Sequence, residues 1–249
     1  MTTQTVLRAV FGFSALVPAL LLHEVAHGWV AWKCGDPTAK EAGRLSLNPL
    51  RHVDPFMSVV LPAFLALSGS RVLFGGAKPV PISLWRCRNP RRAYWMIAVA
   101  GPAANFLQAA AGALLLRGLL AAIDNAAAGG SAWGGVLGAF AVRHGGPWGL
   151  YSYSAFEPSR LAVGVATWLY LYVSTNVALG VFNLVPIPPL DGSRVVAVLL
   201  KGRALRFWTD LEHFGMILVF AFLYFPGANR LLARAIDAAM SLLGLGAIS

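Results

Sequence analysis

The run from residue 6 to residue 32 is apolar enough to lie in lipid, yet it carries His23, Glu24 and His27. At about 1.5 Å per residue, a helix over this run crosses a hydrocarbon core about 30 Å thick. Ionisable side chains at that depth are costly and mark function by default. On a helix, positions i and i+4 share a face, so His23-Glu24-Val25-Ala26-His27 presents two imidazoles to one metal. Zinc fits such a pair, because neutral imidazole is among its preferred ligands and it takes about four groups in tetrahedral array. Glu24 stands beside the first imidazole, where a carboxylate can deprotonate a metal-bound water whose pKa zinc lowers towards ~7. A five-residue pattern also recurs by chance, and a His pair on a helix is often only a polar pair on a wet face. The apolar flanks (Phe11, Leu16, Leu20, Leu21 and Leu22 before it, Val30 and Ala31 after) weigh against that reading.

Composition supports a membrane protein. The 249 residues are 57% hydrophobic and only 12% charged, with a mean hydropathy of +0.65, whereas soluble domains carry about 25% charged residues. The net charge of +10 would suit nucleic acid, but the basic residues gather in short loops between apolar runs, as the positive-inside bias requires. Nucleic acid is therefore not expected as a partner. Cys34 and Cys87 lie in those basic loops and give no disulfide framework. No long polar stretch could form a separate soluble domain, so one membrane-embedded domain over residues 1–249 is expected.

The expected fold is an all-α polytopic membrane protein of about five to six transmembrane helices. Its core helices fall at about 6–32, 93–120 and 161–190, the last running into the proline-broken stretch Asn183 to Gly192. Further helices are expected at 207–225 and 230–245. Residues 54–70 are too short to span and have basic flanks, which favours a re-entrant hairpin. Phe74 to Val80 reads as extended, because a residue before proline is pushed towards β or polyproline geometry. Residues 121–160, rich in glycine, alanine and aromatics, read as a loop, with room for a surface helix. The cluster from Arg71 to Arg92 has six basic residues and no acidic ones, which places it in the cytoplasm.

Two imidazoles leave zinc short of a ligand, since catalytic sites typically use three protein groups and a water. Asp191 is the only carboxylate between Leu161 and Phe207, and the topology brings it to the same end of the bundle as His23 and His27. It reads equally well as a helix N-cap before Gly192-Ser193-Arg194.

Taken together, HEVAH, GDPTAKEAGRLSLNPLRHVDP, FGGAKPVP, AGPAANF and NLVPIPPLDG resemble the site-2 protease family of intramembrane zinc metalloproteases, peptidase family M50, in its short bacterial form. The resemblance covers roughly residues 10–110 and 170–200. It implies that His23, His27 and Asp191 bind one zinc ion per chain, that Glu24 is the catalytic base, and that three helices form the catalytic core. Asn105 and Asn183 match motif asparagines that look like substrate or transition-state contacts. The helix before the motif, the inserted PDZ domain and the nucleotide-sensing module of other members are not recognised in this sequence.

The expected activity is hydrolysis of peptide bonds in or near transmembrane segments. A helical substrate shields its carbonyls and must be unwound first. The stretch containing Gly75 and Gly76 would hold the unwound peptide by strand addition, and Asn105 and Asn183 would bond it through their amides or else join helices. The substrate would be a transmembrane protein or a leftover signal peptide, in a bacterial plasma membrane, with the site near the cytoplasmic face. The rival readings are a catalytically inactive relative that binds or regulates, and a transporter, whose broken helices also carry midplane charge.

Overall fold

The computed structural model describes residues 3–52, 60, 78–128 and 160–245. The expected hairpin at 54–70, Gly75 and Gly76, and most of the loop at 121–160 lie outside the described residues. Eight α-helices are described: α1 (Thr3–Lys33), α2 (Thr38–Glu41), α3 (Pro90–Ala128), α4 (Arg160–Asn183), α5 (Asp191–Leu199), α6 (Gly202–Asp210), α7 (Gly215–Tyr224) and α8 (Pro226–Leu242). No strand occurs among the described residues, and Lys78 to Val80 have no regular structure. The described residues are all-helical, and of the expected extended segment at 74–80 only residues 78–80 lie among them.

Among the described residues, three helices are long and apolar enough to cross a membrane: Val10–Lys33, Pro90–Ile123 and Leu161–Asn183. A fourth span is reached only if Gly202–Tyr224 and Pro226–Leu242, bent by 82° at their junction, count as one. The five or six expected are not reached among the described residues. Residues 202–245 break into pieces because Phe225 leaves the helix and Pro226 starts a new one at its first turn. The helix expected at 161–190 stops at Asn183, since three prolines between 186 and 189 deny it N–H donors.

The chain divides into two compact units. In the first (residues 1–16, 105–182 and 220–249), α3 and α4 meet along Ala109, Ala113, Leu116 and Leu120 on one side and Ala166, Leu169, Val173 and Val177 on the other. The spacing on each helix is one apolar face. Small residues allow the close approach, as is usual between membrane helices: a Cβ on Gly112 would lie 2.9 Å from Val173. Polar groups join the same two helices. Asn105 Nδ2 donates to Asn176 Oδ1 at 2.8 Å, and Tyr172 Oη donates to Gln108 Oε1 at 2.6 Å.

The second unit holds residues 17–104 and 183–219. Here α1 ends at Lys33, and Gly35 just beyond it, with a φ of +109°, reverses the chain at no steric cost. Asp36 follows, fully buried. Its carboxylate accepts from the Thr38 N–H at 3.0 Å, from the Thr38 hydroxyl, and from the Ser83 N–H at 2.6 Å. Burial alone would push this carboxyl up from its ordinary 3.8, but those donors and the nearby Arg86 outweigh it and hold the value down. A lowered native pKa stabilises the fold fully above the unfolded value, and the contribution disappears as pH falls through the native one. The melting temperature of the detergent-solubilised protein is therefore expected to drop below about pH 4. The Asp36→Asn variant, already weaker by about 1–3 kcal/mol, should show a smaller acid loss in the same pH series.

Candidate metal centre

The site lies within the second unit and is assembled from α1, α3 and the start of α5. Helical spacing sets His23 and His27 on one face of α1, both buried, with their Nε2 atoms 3.0 Å apart. The His27 Nδ1 lies 2.6 Å from the Ile97 carbonyl of α3. A carbonyl can only accept, so Nδ1 carries the proton and Nε2 keeps its lone pair. Pro102 has no N–H to give Ala98, so the helical ladder is interrupted beside that carbonyl.

Asp191 completes a trio. Its Oδ2 lies 3.2 Å from His23 Nε2 and 3.1 Å from His27 Nε2. Burial pushes the Asp191 carboxyl up, and the two imidazoles more than reverse this, holding it below the ordinary carboxylate range. Arg194, one turn on, lies 3.7 Å from Oδ1. The helix begins at Asp191 itself with Leu190 as its N-cap, and no side-chain capping bond is made. The N-cap reading of Asp191 is thus not the geometry found. A carboxylate in the first turn still gains from the positive helix end.

Two glycines seat the loop that carries Asp191. A Cβ on Gly192 would lie 2.5 Å from the Leu184 carbonyl carbon and 2.7 Å from the Val185 oxygen. A Cβ on Gly215 would lie 2.8 Å from the Pro189 ring. The turn from Leu184 to Leu190 therefore packs against backbone on both sides. Arg91 closes the far end of α5, donating to the Val198 carbonyl at 3.1 Å, and Trp208 of α6 donates to the Ser193 carbonyl at 3.0 Å.

The trio fits a zinc ion. Two nitrogen lone pairs and a carboxylate oxygen, all 3.0–3.2 Å apart, repel one another unless a proton or cation lies between them. Bonds of about 2.0–2.1 Å in a tetrahedron set its ligand atoms about 3.3 Å apart, close to the separations observed. Among the described residues, His23, His27 and Asp191 are the group of His, Cys, Asp or Glu side chains able to hold a metal. Gly101 of α3 faces them at close range. A Cβ there would sit 2.5 Å from His23 Cε1 and 2.6 Å from His23 Nε2, with His27 Nε2 nearer still.

Glu24 is half-buried, and its Oε2 accepts from the Val80 N–H at 3.3 Å. Asn105 is fully buried and bonded to Asn176, and Asn183 is the half-buried last residue of α4. Gly101, Val80 and Asn176 were not singled out in the sequence. For Asn176 a signal existed, since an asparagine inside an apolar span seeks a partner. For Gly101 and Val80 the functional contact is a missing side chain or a backbone N–H, which residue type does not advertise.

Residues 11–225 match peptidase family M50. The chain is 29% identical over 223 residues to a Bacillus subtilis protein named "Putative zinc metalloprotease YwhC", covering 90% of this chain and 84% of that one. It is 28% identical over 212 residues to "Putative zinc metalloprotease Rip2" of Mycolicibacterium smegmatis, covering 85% of this chain and 66% of that one. For the Rip2 protein of Mycobacterium tuberculosis the identity is 26% over 213 residues, with 85% and 65% covered. The chain thus spans just under two thirds of the length of the Rip2 proteins. No solved structure matches the chain. Because the family match runs from α1 into α7 and takes in every member of the His–His–Asp trio, the chain belongs to peptidase family M50.

Proposed function

We propose that this chain is a zinc metalloendopeptidase that cleaves peptide bonds in or near transmembrane segments of membrane proteins. One observation carries the reading. The buried His23–His27–Asp191 trio takes both imidazoles, with Glu24 beside the first of them, from a helix long and apolar enough to cross a membrane. His23, His27 and Asp191 would hold one zinc ion, which when bound supplies Lewis acidity towards a peptide carbonyl and makes water acidic enough to ionise near neutral pH. Glu24 takes the proton of the attacking water and passes it to the departing amine. The His27–Ile97 bond keeps the imidazole in the tautomer that leaves Nε2 free for metal.

The substrate is a transmembrane protein or a signal-peptide-like segment, unwound locally so that its carbonyls become accessible. Asn183, the last residue of α4, would bond such a peptide through its amide. The resemblance to the short bacterial members supports a bacterial plasma membrane, and the basic loops that flank the helix ends carrying the site support a position towards the cytoplasm.

Metal content tests this reading. The purified wild type is expected to hold about one zinc per chain, and His23→Ala and Asp191→Ala are each expected to lose it. Zinc kept by the Asp191 variant alone would move the third ligand elsewhere. Wild-type protein that takes up no zinc when it is supplied would remove the protease reading.

A further inference from the structure

Asp36 is a buried carboxylate that the chemistry above does not use. It is placed by the turn that ends α1, and it grips Ser83 through a 2.6 Å bond from the backbone N–H. Ser83 closes a short stretch without regular structure, residues 78–83. The other end of that stretch is tied by the Lys78 N–H, which donates to the His52 carbonyl at 2.8 Å. Between the two ties, the Val80 N–H donates to Glu24 Oε2. Pro79 and Pro81 flank Val80 and have no N–H, so across residues 79–81 the backbone offers a single donor, and the ring-fixed φ angles stiffen it.

The side chain of Val80 reinforces the placement. It is buried over Gly28, one helical turn from Glu24. A Cβ on Gly28 would come within 3.0 Å of Val80 Cγ1, 2.9 Å of Leu45 Cδ2 and 3.1 Å of Ala39 Cβ. Residues 78–83 therefore form a strap drawn against α1 where the carboxylate emerges.

We infer that Asp36 is a positioning residue for Glu24, acting through this strap: by fixing Ser83 it holds the Val80 N–H against Glu24 Oε2 and sets the orientation of the carboxylate. The inference rests on the reading of Glu24 as the base. A glutamate has three side-chain torsions, and a helix face alone does not fix them. With Oε2 held by the strap, Oε1 is the oxygen left for proton transfer. Misplacing a reacting group by about 1 Å can cost up to about 100-fold in rate, so a loosened strap should appear in turnover and not in metal binding.

The test uses the full-length, zinc-loaded protein in detergent with an unstructured fluorogenic peptide as probe. Amide hydrogen exchange across residues 78–83 is measured in parallel. In Asp36→Asn, exchange at the Val80 amide is expected to quicken about tenfold or more. The kcat is expected to fall about tenfold, equivalent to about 1.4 kcal/mol, with KM and zinc content unchanged. Val80→Pro removes the donor outright, whereas Val80→Ala keeps it and trims only the side chain, so the proline variant should lose more kcat than the alanine variant. That pair also carries the test if Asp36→Asn does not fold.

Unchanged exchange in Asp36→Asn, a loss confined to KM or zinc, or equal losses in the two Val80 variants would overturn the inference. A Glu24→Gln protein that cleaves the peptide as fast as wild type would instead overturn the reading of Glu24 as base. The exchange data would still show whether Asp36 ties the strap.

Discussion

Glu24→Gln is expected to keep its full zinc content and lose peptide hydrolysis by about 10²–10⁴-fold, the range spanned by a positioned general base. Glutamine has nearly the shape of glutamate, and its amide oxygen can still accept from the Val80 N–H that now meets Glu24 Oε2. The metal trio does not include Glu24, so nothing that would hold the ion is removed. What goes is a group able to take a proton from water near neutral pH. Paired zinc analysis and peptide cleavage on the same preparation check the result. Loss of zinc with activity would make Glu24 a ligand or a structural partner of one. Retained activity would place the base on another residue.

The second large effect is expected at Gly101→Ala. By helix propensity alone the change should stabilise α3, since alanine is favoured over glycine by about 1 kcal/mol in a helix interior. The tertiary setting reverses the sign. The added methyl would stand 2.5–2.6 Å from two atoms of the His23 ring, and nearer to His27 Nε2. Neither ring can retreat cheaply, because His27 is tied to the Ile97 carbonyl and both Nε2 atoms pack against Asp191. Zinc affinity should fall about 100-fold, comparable to the loss of a group that orients a metal ligand. Gly118→Ala on the same helix is the control, because a Cβ there meets nothing within 4 Å. Competition with a zinc chelator separates the two variants. Equal zinc affinity in both would mean that α3 does not approach the imidazoles this closely.

Local rules made some of this legible from residue order. The His23–His27 pair could be read because i and i+4 share a helix face wherever a helix forms. Asp191 stood out as a lone carboxylate after a proline-broken span, although sequence alone could not separate a ligand from a helix cap. The structure separates them by directing its carboxylate at two imidazoles while Leu190 caps the helix. Asn105 was singled out, but its partner Asn176 was not, since pairing across 71 residues depends on which faces of α3 and α4 meet.

Hydropathy also placed the three long spans within a few residues, because burying every backbone group in lipid leaves helices as the solution for an apolar run. It also set helices at 207–225 and 230–245, and the structure divides the segment there, at Phe225 and Pro226. Average hydrophobicity registers what a segment can be buried in. It does not register the 82° bend at that division.

By itself, then, the sequence determined the all-helical membrane class, the facing histidines and the carboxylate available to join them. Each follows from the residue types within one turn or one span. Only the tertiary structure decided that the Ile97 carbonyl fixes a tautomer, that the absence of a side chain at Gly101 makes room for the trio, and that a strap tied to Asp36 reaches Glu24. These contacts use backbone atoms or empty space, brought together across 47 to 78 residues. Such groups are the same at every position in a chain, and only packing gives one of them a role.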